Sequence, residues 1–147
     1  MDVSKKALEY HAAGLNCAQS VLAALSKYTR LDEKTAISVA AGFGGGMCSG
    51  EMCGSISGAI MAVGLAFPTK KAGDAQAKAR ANKLTKKCVS EASCKYGCVR
   101  CRELKKNSVS CDEMIAYMAG TAEAIIKDTK KQENKLWKFM KSLLHAD

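Results

Sequence analysis

The sequence predicts an all-α fold, a compact bundle of about six helices with no sheet. Apolar residues recur at helical intervals along the chain, and no segment is a convincing strand. Proline occurs once, at Pro68, and aromatic residues make up only 5% of the chain, which argues against a β-sandwich or barrel. With 147 residues the chain can bury a core without covalent staples, and we expect a single helical domain over residues 1–147.

The first part of the chain predicts three helices separated by glycine and capping residues. A short helix ends at Gly14, and Asn16 is the predicted N-cap of a helix over residues 17–30. The apolar positions of that helix recur at helical spacing: Val21, Leu22 and Leu25. Asp32 caps a third helix, which ends at the glycine-rich loop 42–46. We expect three of its residues to face inward: Ile37, Val39 and Ala40.

The second part predicts a buried helix, a basic helix and an amphipathic C-terminus. Residues 53–67 form the buried helix, which Pro68 ends. Its small residues recur every four positions and allow a neighbouring backbone to approach: Gly54, Gly58 and Ala62. An Ala- and Lys-rich helix over residues 72–92 precedes an irregular cysteine segment around Gly97. Ser110 and Glu113 form a capping box before the next helix, and the amphipathic piece KLWKFMKSLL closes the chain.

The positive charge is concentrated in residues 70–106. That segment holds twelve Lys/Arg and three Asp/Glu, a net charge of +9 that equals the charge of the whole chain. A lysine-rich helix is usually a solvated face, and no aromatic or motif support for nucleic-acid binding accompanies it, so we predict no nucleic-acid partner. The alternative is a docking surface for an acidic redox partner. Its candidate residues are Lys70, Lys71, Lys78, Arg80, Lys83, Lys86 and Lys87.

The opening residues and the longest uncharged run predict a cytoplasmic protein with no membrane partner. MDVSKKALEYHAAG lacks the apolar stretch of a secretory signal, and the run from Met52 to Phe67 is about one or two residues short of a spanning helix. The cytosol keeps thiols reduced, so the eight cysteines are better explained as ligands or redox thiols than as structural disulfides.

The densest cysteine motif, Cys94-x3-Cys98-x2-Cys101, leaves several kinds of site open. It has the spacing of the radical S-adenosylmethionine cluster triad, but the strands of that barrel are missing. A c-type haem site would need His where Arg102 stands, and a thioredoxin-like dithiol would need a βαβ unit. Structural zinc usually takes two close pairs of ligands, and only one is present, so zinc stays a weaker alternative. Iron–sulfur ligation accepts thiolates from separate loops and helix ends.

Three further cysteines lie at predicted helix N-termini: Cys17, Cys53 and Cys111. Unpaired N–H groups and the helix dipole lower the pKa of a thiol there, although a free cysteine is also commonly just a small buried residue. The two histidines, His11 and His145, have no Cys or carboxylate at a telling interval, and we expect both at the surface or at a helix end.

The motifs GLNCAQSVL, FGGGM, CGSISGAIMAVGL and CREL, followed by a later Cys, resemble the redox-active family named for its C-GCAxxG-C-C cysteine pattern. The resemblance covers roughly residues 10–120. Carried across by position, the family cysteines are Cys17, Cys53, Cys101 and Cys111, and the later glycine is Gly97. Ser55 stands where a small Ala is expected. The shared pattern does not include Cys48, Cys88, Cys94 and Cys98.

The resemblance implies a redox centre made of four cysteines. We expect an iron–sulfur cluster that transfers electrons, with Cys17, Cys53, Cys101 and Cys111 as its metal ligands. The backbone N–H groups of Gly44, Gly45 and Gly46 would then approach sulfur and help to bind the cofactor. One alternative is a thiol–disulfide protein in which two of the same cysteines form a reversible bridge, with Cys17 and Cys53 in the catalytic roles. A second alternative is a zinc-stabilised binding module, and the oligomeric state stays open.

Overall fold

Eight α-helices account for most of residues 2–144, the part of the chain that the computed structural model describes. A 3₁₀ turn at Ala41–Phe43 and a π-type turn at Gly46–Gly50 lie between the fourth and fifth helices. The helices are α1 (Val3–Ala12), α2 (Cys17–Ala24), α3 (Ser26–Thr29), α4 (Glu33–Val39), α5 (Gly54–Ala66), α6 (Ala75–Tyr96), α7 (Cys101–Lys106) and α8 (Cys111–Leu144). In that part of the chain the β-type pairing is one isolated bridge between Met52 and Arg100, so the all-α prediction is confirmed.

The predicted number of about six helices is slightly too low. The helix expected over residues 17–30 breaks at Leu25, whose backbone leaves the helical region, and α3 continues as a single turn. The cysteine segment expected to be irregular contains α7. In contrast, the last two predicted helices form one, α8, because the residues between them include no Gly or Pro and are mostly good helix formers.

The predicted N-caps at Asn16 and Asp32 are present, and the Ser110 half of the predicted Ser110–Glu113 capping box is seen. The Asn16 side chain accepts from the Gln19 amide and the Gln19 side chain accepts from the Asn16 amide, a complete capping box. The Asp32 side chain caps α4, and Ser110 Oγ accepts from the Glu113 amide at 3.1 Å. One detail of α4 is wrong: Val39 is 52% exposed, because the face turned to the core carries Ala36 and Ala40, four positions apart. These caps fix where α2 and α4 begin.

Helices α2 and α5 pack closely through the small residues of α5. A Cβ added to Gly58 would lie 2.7 Å from the carbonyl oxygen of Ala18, and Ala62 is fully buried. The predicted close approach therefore occurs inside this chain, between α5 and α2. Helix α5 ends at Ala66, two residues before Pro68, as predicted.

Helix α8 packs on the bundle with its first half only. Its buried residues run from Met114 to Ile126, and Ser4 Oγ of α1 donates to the Ala116 carbonyl at 2.8 Å. Every residue from 131 to 144 is exposed. His11 lies at the surface against Asp112, with 2.7 Å between Nδ1 and Oδ1, whereas His145 lies outside the described residues. Within residues 2–144, no helix combines the length and the apolar character needed to cross a bilayer.

Candidate functional site

A cavity of about 80 Å³ brings together Cys17, Cys53, Cys101 and Cys111. The four residues come from four separate segments of the chain. Cys17, Cys53 and Cys101 are buried, and Cys111 is exposed at the mouth. The cavity is completed by Gly45, Ser55, Leu104, Lys105, Val109, Ser110 and Met114. The predicted set of four cysteines therefore lines one small cavity that is partly open at Cys111.

Each cavity cysteine lies at the start of an α-helix. Cys17, Cys101 and Cys111 are the first residues of α2, α7 and α8, and Cys53 is the N-cap of α5. The sequence predicted this position for three of them, and Cys101 is the fourth. Helix N-termini present unpaired N–H groups and a partial positive charge, which favour an anionic sulfur over a neutral thiol. The helix starts thus direct positive potential at the cavity.

The isolated bridge between Met52 and Arg100 positions Cys53 and Cys101. The Cys53 amide donates to the Val99 carbonyl at 2.9 Å, and the Cys101 amide donates to the Glu51 carbonyl at 2.6 Å. These two bonds tie together segments that are almost fifty residues apart in the chain. They also leave each cysteine directly at the start of its helix, so the two side chains enter the cavity from neighbouring backbones.

Gly54 allows Cys17 to lie against the first turn of α5. A Cβ at this position would overlap the Cys17 sulfur, and it would lie 2.8 Å from the backbone oxygen of Phe43. Any larger residue would displace either the thiol or the loop behind it. The glycine next to Cys53 is therefore required by the position of Cys17, which places the two thiols on adjacent turns.

The buried thiols favour their neutral form while the cavity holds no cation. Burial raises the pKa of Cys53 to about 11; the Ser55 amide opposes this rise, and negative charge on Cys17 adds to it. Burial likewise raises the pKa of Cys111, with negative charge on Cys17 adding to the rise and Lys105 opposing it. The thiols thus destabilise each other's charged forms, which is how closely grouped acids behave. A positively charged metal centre would reverse this balance.

The glycine-rich loop reaches the cavity through Gly45. Four successive residues have left-handed backbone angles, namely Gly45, Gly46, Met47 and Cys48, with φ between 54° and 63°. Of the three glycines predicted to bind a cofactor, the structure places Gly45 on the cavity wall. Gly44 packs against the Asn16 side chain, and a Cβ on Gly46 would lie 2.5 Å from the Glu51 amide nitrogen. These two glycines are needed for close packing behind the loop.

Arg102 holds the end of this loop in place. Its guanidinium donates to the Ser49 carbonyl at 2.7 Å and to the Gly50 carbonyl at 3.3 Å. It also pairs with the Glu51 carboxylate at 2.8 Å. Left-handed angles at non-glycine residues such as Met47 and Cys48 cost about 1–3 kcal/mol each, and they persist where surrounding contacts enforce them. Arg102 supplies such contacts from the helix that begins with Cys101.

Ser55 is a cavity residue for which the sequence predicted no role. Its side chain is fully buried, and its hydroxyl makes no hydrogen bond of normal geometry, although it lies near enough to the Cys53 thiol to oppose the rise of that pKa. An unsatisfied buried hydroxyl costs about 1–3 kcal/mol, so a partner that enters with a bound group would recover part of that free energy. The sequence pointed to this residue only because Ser55 stands where the family pattern has Ala. Lys105, also missed, is the cationic side chain on the cavity wall.

The remaining cysteines lie away from the cavity. Cys88 is buried in the core on α6, and burial raises its pKa to about 11. Cys94 is exposed, with its sulfur 3.8 Å from the Ser90 hydroxyl. Cys98 is half-buried beside Asn107, and Cys48 is exposed on the glycine-rich loop. The compact motif Cys94-x3-Cys98-x2-Cys101 is therefore divided in space: only Cys101 lines the cavity.

The cavity has the ligands of a sulfur-bound metal centre, although the side chains do not converge on one point. In residues 2–144, no three His, Cys, Asp or Glu side chains are grouped closely enough to hold a metal ion as they stand. Four soft thiol donors in a common cavity nevertheless match the ligand preference of iron–sulfur clusters and of zinc. The donor set therefore fits such a group in its chemistry, and binding would require the side chains to rotate inward.

Part of the basic segment predicted to dock a partner lies far from the cavity. Arg80 on α6 pairs with Glu133 on α8 at 3.0 Å. Glu133 follows Cys111 by twenty-two residues along α8, a distance of about 33 Å at the usual helical rise. The first half of α6 is therefore at the opposite end of the molecule. Next to the cavity, α7 carries the cations Arg102, Lys105 and Lys106.

Comparison with known proteins identifies the family of the chain. No curated protein and no solved structure matches the chain at a significant level. A family model described as "Putative redox-active protein (C_GCAxxG_C_C)" matches residues 15–125, a span that includes all four cavity cysteines. Because this match covers most of the chain, the protein belongs to the C_GCAxxG_C_C family of redox-active proteins.

Proposed function

We propose that the protein is an electron carrier whose working group is an iron–sulfur cluster in the four-cysteine cavity. The observation that carries this proposal is that four cysteines from four separate segments line one small cavity. The ligands would be Cys17, Cys53, Cys101 and Cys111. A cluster ligated by thiolates supplies one-electron redox chemistry at a potential set by burial, charge and hydrogen bonds to sulfur.

The residues around the thiols have the properties that an anionic sulfur centre needs. The Ser55 hydroxyl lacks a partner and is available to donate to sulfur. The helix starts at the cavity, together with Lys105, stabilise negative charge. Because burial raises the pKa of Cys53 to about 11, binding a metal centre there would release a proton and would become more favourable as pH rises.

The size of the cavity favours electron transfer over turnover of a small substrate. Pockets for small-molecule ligands usually measure about 300–1,000 Å³, several times the volume of about 80 Å³ found here. A cluster bound by the four thiols would leave little space beside it. We therefore infer that the redox partner is another protein, approaching the mouth beside Cys111.

An acidic redox protein fits the charge at that mouth, since α7 presents Arg102, Lys105 and Lys106 beside it. This proposal moves the docking site from the remote lysines of α6 to α7. We expect Lys105→Glu to slow electron exchange with an acidic ferredoxin-type acceptor at low salt, whereas Lys83→Glu on α6 leaves the rate unchanged. Equal slowing by both variants would return the docking site to α6.

The experiment that tests the cluster is anaerobic purification followed by iron and sulfide analysis. We expect a brown protein with charge-transfer absorption, stoichiometric iron and sulfide, and bleaching on one-electron reduction. Cys94→Ser is the matched control, because Cys94 is exposed and away from the cavity. A colourless anaerobic preparation without iron would eliminate the proposal. Bound zinc that unfolds the protein on chelation would support a structural zinc module instead.

The second candidate is a reversible disulfide between Cys17 and Cys53. The specific observation in its favour is the contact of Cys17 with the turn that follows Cys53. Forming the bridge would release two protons and pass two electrons to an acceptor dithiol–disulfide protein. Its raised pKa makes Cys53 the poorer nucleophile at neutral pH, so Cys17 is the better candidate for the attacking thiolate. If the number of free thiols is the same before and after mild oxidation, no bridge forms.

A further inference from the structure

The C-terminal part of α8 presents an apolar face that no other part of the described chain covers. Six large apolar side chains there are 48–77% exposed. At the angular spacing of an α-helix they fall within an arc of about 160°. They are Leu136, Trp137, Phe139, Met140, Leu143 and Leu144. Scattered exposed apolar residues are common, but six on one face of one helix form a contiguous patch.

The opposite face of the same helical segment is basic. Between residues 135 and 144 the charged residues are Lys135, Lys138 and Lys141, and no Asp or Glu occurs. Lys141 lies where the two faces meet, with its Nζ 5.1 Å from the centre of the Trp137 ring. An aromatic and aliphatic face backed by lysines is the pattern of helices that lie in a membrane interface.

A second, separate element places more positive charge at this end of the molecule. The first half of α6 reaches α8 through the pair Arg80–Glu133. Residues 70–87 and 127–144 together contain thirteen Lys/Arg and three Asp/Glu, a net charge of +10. The rest of the chain holds ten Lys/Arg and eleven Asp/Glu. All of the net charge is therefore carried by these two segments, and Arg80 and Lys83 of α6 lie beside the residues of α8 that lead into the apolar face.

Charge complementarity selects the occupant of this face. A second copy of the chain would bring a like-charged end against it, and such juxtaposition is unfavourable. The face is also a convex helix surface and not a groove shaped for a partner helix. A bilayer containing anionic lipid offers both required features, apolar chains beneath a layer of negative charge. The sequence-based expectation of no membrane partner depended on the lack of a spanning segment, which such a surface helix does not need.

We propose that this end of the protein docks on anionic membrane surfaces. The apolar face of residues 136–144 would be buried at the level of the lipid headgroups. The lysines of α8 and of the first half of α6 would contact lipid phosphates. The four-cysteine cavity lies at the start of the same helix, about 30 Å along α8 from the residues that bind lipid. This proposal does not depend on which redox group the cavity holds.

The single tryptophan makes the test direct, because Trp137 lies on the apolar face. The full-length protein is titrated with vesicles of phosphatidylcholine alone and of phosphatidylcholine mixed with phosphatidylglycerol, and Trp emission and cosedimentation are followed. We expect a blue shift and cosedimentation with the anionic vesicles only. Added salt should weaken the binding, since it screens the lysines.

Two variants with matched controls separate insertion from simple charge attraction. We expect Phe139→Ser to weaken vesicle binding about tenfold, whereas Ser142→Ala, on the polar side of the same turn, changes it little. Lys138→Gln should weaken binding about fivefold on anionic vesicles. Residues 131–144 are exposed, so neither substitution should disturb the bundle, which circular dichroism can verify.

Three outcomes would overturn the proposal. The first is the absence of binding to anionic vesicles. The second is salt-sensitive cosedimentation without a blue shift, which is adsorption by charge alone. The third is a blue shift that depends on protein concentration without vesicles, which would assign the face to a second copy. Tight binding to poly-glutamate in place of vesicles would assign it to an acidic protein partner and would also count against a lipid surface.

Discussion

Cys53 and Cys88 are buried to a similar degree, yet they lie in very different surroundings. Burial raises the pKa of each thiol to about 11. Cys88 lies on α6 within the apolar core, and it is not among the residues that line the cysteine cavity. Cys53 begins α5 and shares that cavity with three other cysteines. A perturbed thiol pKa therefore reports burial and does not by itself identify a functional cysteine.

The two residues differ in the groups that the fold places around them. Around Cys53, the Met52–Arg100 bridge, the glycine at position 54 and several helix starts bring distant segments to one point. Cys88 has one nearby cation, Lys87, and one nearby anion, Glu91, both on its own helix. The chain thus contains a built site and a packing residue with the same titration behaviour. The same substitution made at Cys53 and at Cys88 is the most direct test of this contrast.

The largest difference is expected for alanine substitutions at the two cysteines. Cys53→Ala should abolish cluster loading, because it removes one of four ligands. Cys88→Ala should retain full iron and sulfide content and should lower the free energy of unfolding by about 1 kcal/mol, the cost of a small cavity. Iron and sulfide analysis of anaerobic protein, together with urea unfolding of the apoproteins, measures both effects. Loss of iron in Cys88→Ala with an intact fold would mean that the centre extends to α6.

The two glycines Gly54 and Gly64 provide a matched pair within α5. Gly54→Ala should destabilise the apoprotein by about 2–3 kcal/mol, since the new methyl group overlaps the Cys17 sulfur and crowds the Phe43 backbone oxygen. Gly64 has nothing within 4 Å of an added Cβ, and there Ala should stabilise the helix by about 0.5–1 kcal/mol. Urea denaturation measures both. Equal effects at the two sites would show that Cys17 does not lie against α5.

Short-range sequence patterns predict the helices, and the resemblance to the C_GCAxxG_C_C family predicts which four cysteines form the site. The Asn16 cap, the end of α5 before Pro68 and the small residues facing α2 all follow from short-range patterns. The Met52–Arg100 bridge joins segments nearly fifty residues apart, and no local pattern specifies such a pairing. The break at Leu25 and the fusion of the last two helices into α8 depend on packing and on the lack of helix breakers.

The candidate site was predictable as a set of residues but not as a geometry. The concentration of positive charge predicted a site within residues 70–106. In the fold, the first half of α6 lies about 30 Å from the cavity. Helix α7 brings part of that basic segment, through Lys105, to the cysteines. The role of Ser55 required knowledge of its burial and of the missing hydrogen bond. Sequence alone gave only the unusual residue at that position.

Alkaline pH should destabilise the apoprotein through both buried thiols. Their pKa values rise from about 9 to about 11 on folding, so the folded state holds its protons more tightly than the unfolded state. Stability is therefore full below pH 9 and is lost as pH rises toward 11, on the order of 2 kcal/mol per thiol. Unfolding of wild type and of Cys88→Ala at pH 8 and near pH 11, compared as differences, removes the contribution of the lysines.

Binding of a metal centre in the cavity should separate the contributions of Cys53 and Cys88 to this alkaline loss of stability. A metal-bound Cys53 carries no proton in the folded state over this pH range, so it no longer contributes to the alkaline loss, whereas Cys88 still does. The ligand thiols of the unfolded chain still lose protons near pH 9, so the loaded protein should lose clearly less stability than the apoprotein between these pH values. If the apo and loaded forms lose the same amount, Cys53 is not a ligand.

The smallest expected effect distinguishes two buried serines, Ser55 and Ser20. Ser20 Oγ donates to the Asn16 carbonyl at 2.8 Å, so Ser20→Ala should cost about 1 kcal/mol. Ser55 has no partner in the empty cavity, so Ser55→Ala should leave the apoprotein as stable as wild type or about 1 kcal/mol more stable. In the loaded protein the same change should lower the reduction potential, because a hydrogen bond to sulfur favours the reduced state.

Voltammetry of the loaded variants and urea unfolding of the apoproteins measure these two opposite effects. A merely structural role for Ser55 would move the stability and not the potential, while Ser20→Ala should move the stability alone. If Ser55→Ala destabilises the apoprotein as much as Ser20→Ala does, the hydroxyl already has a partner in the empty cavity. It would then be a packing group of α5 and would not be available to donate to a bound sulfur.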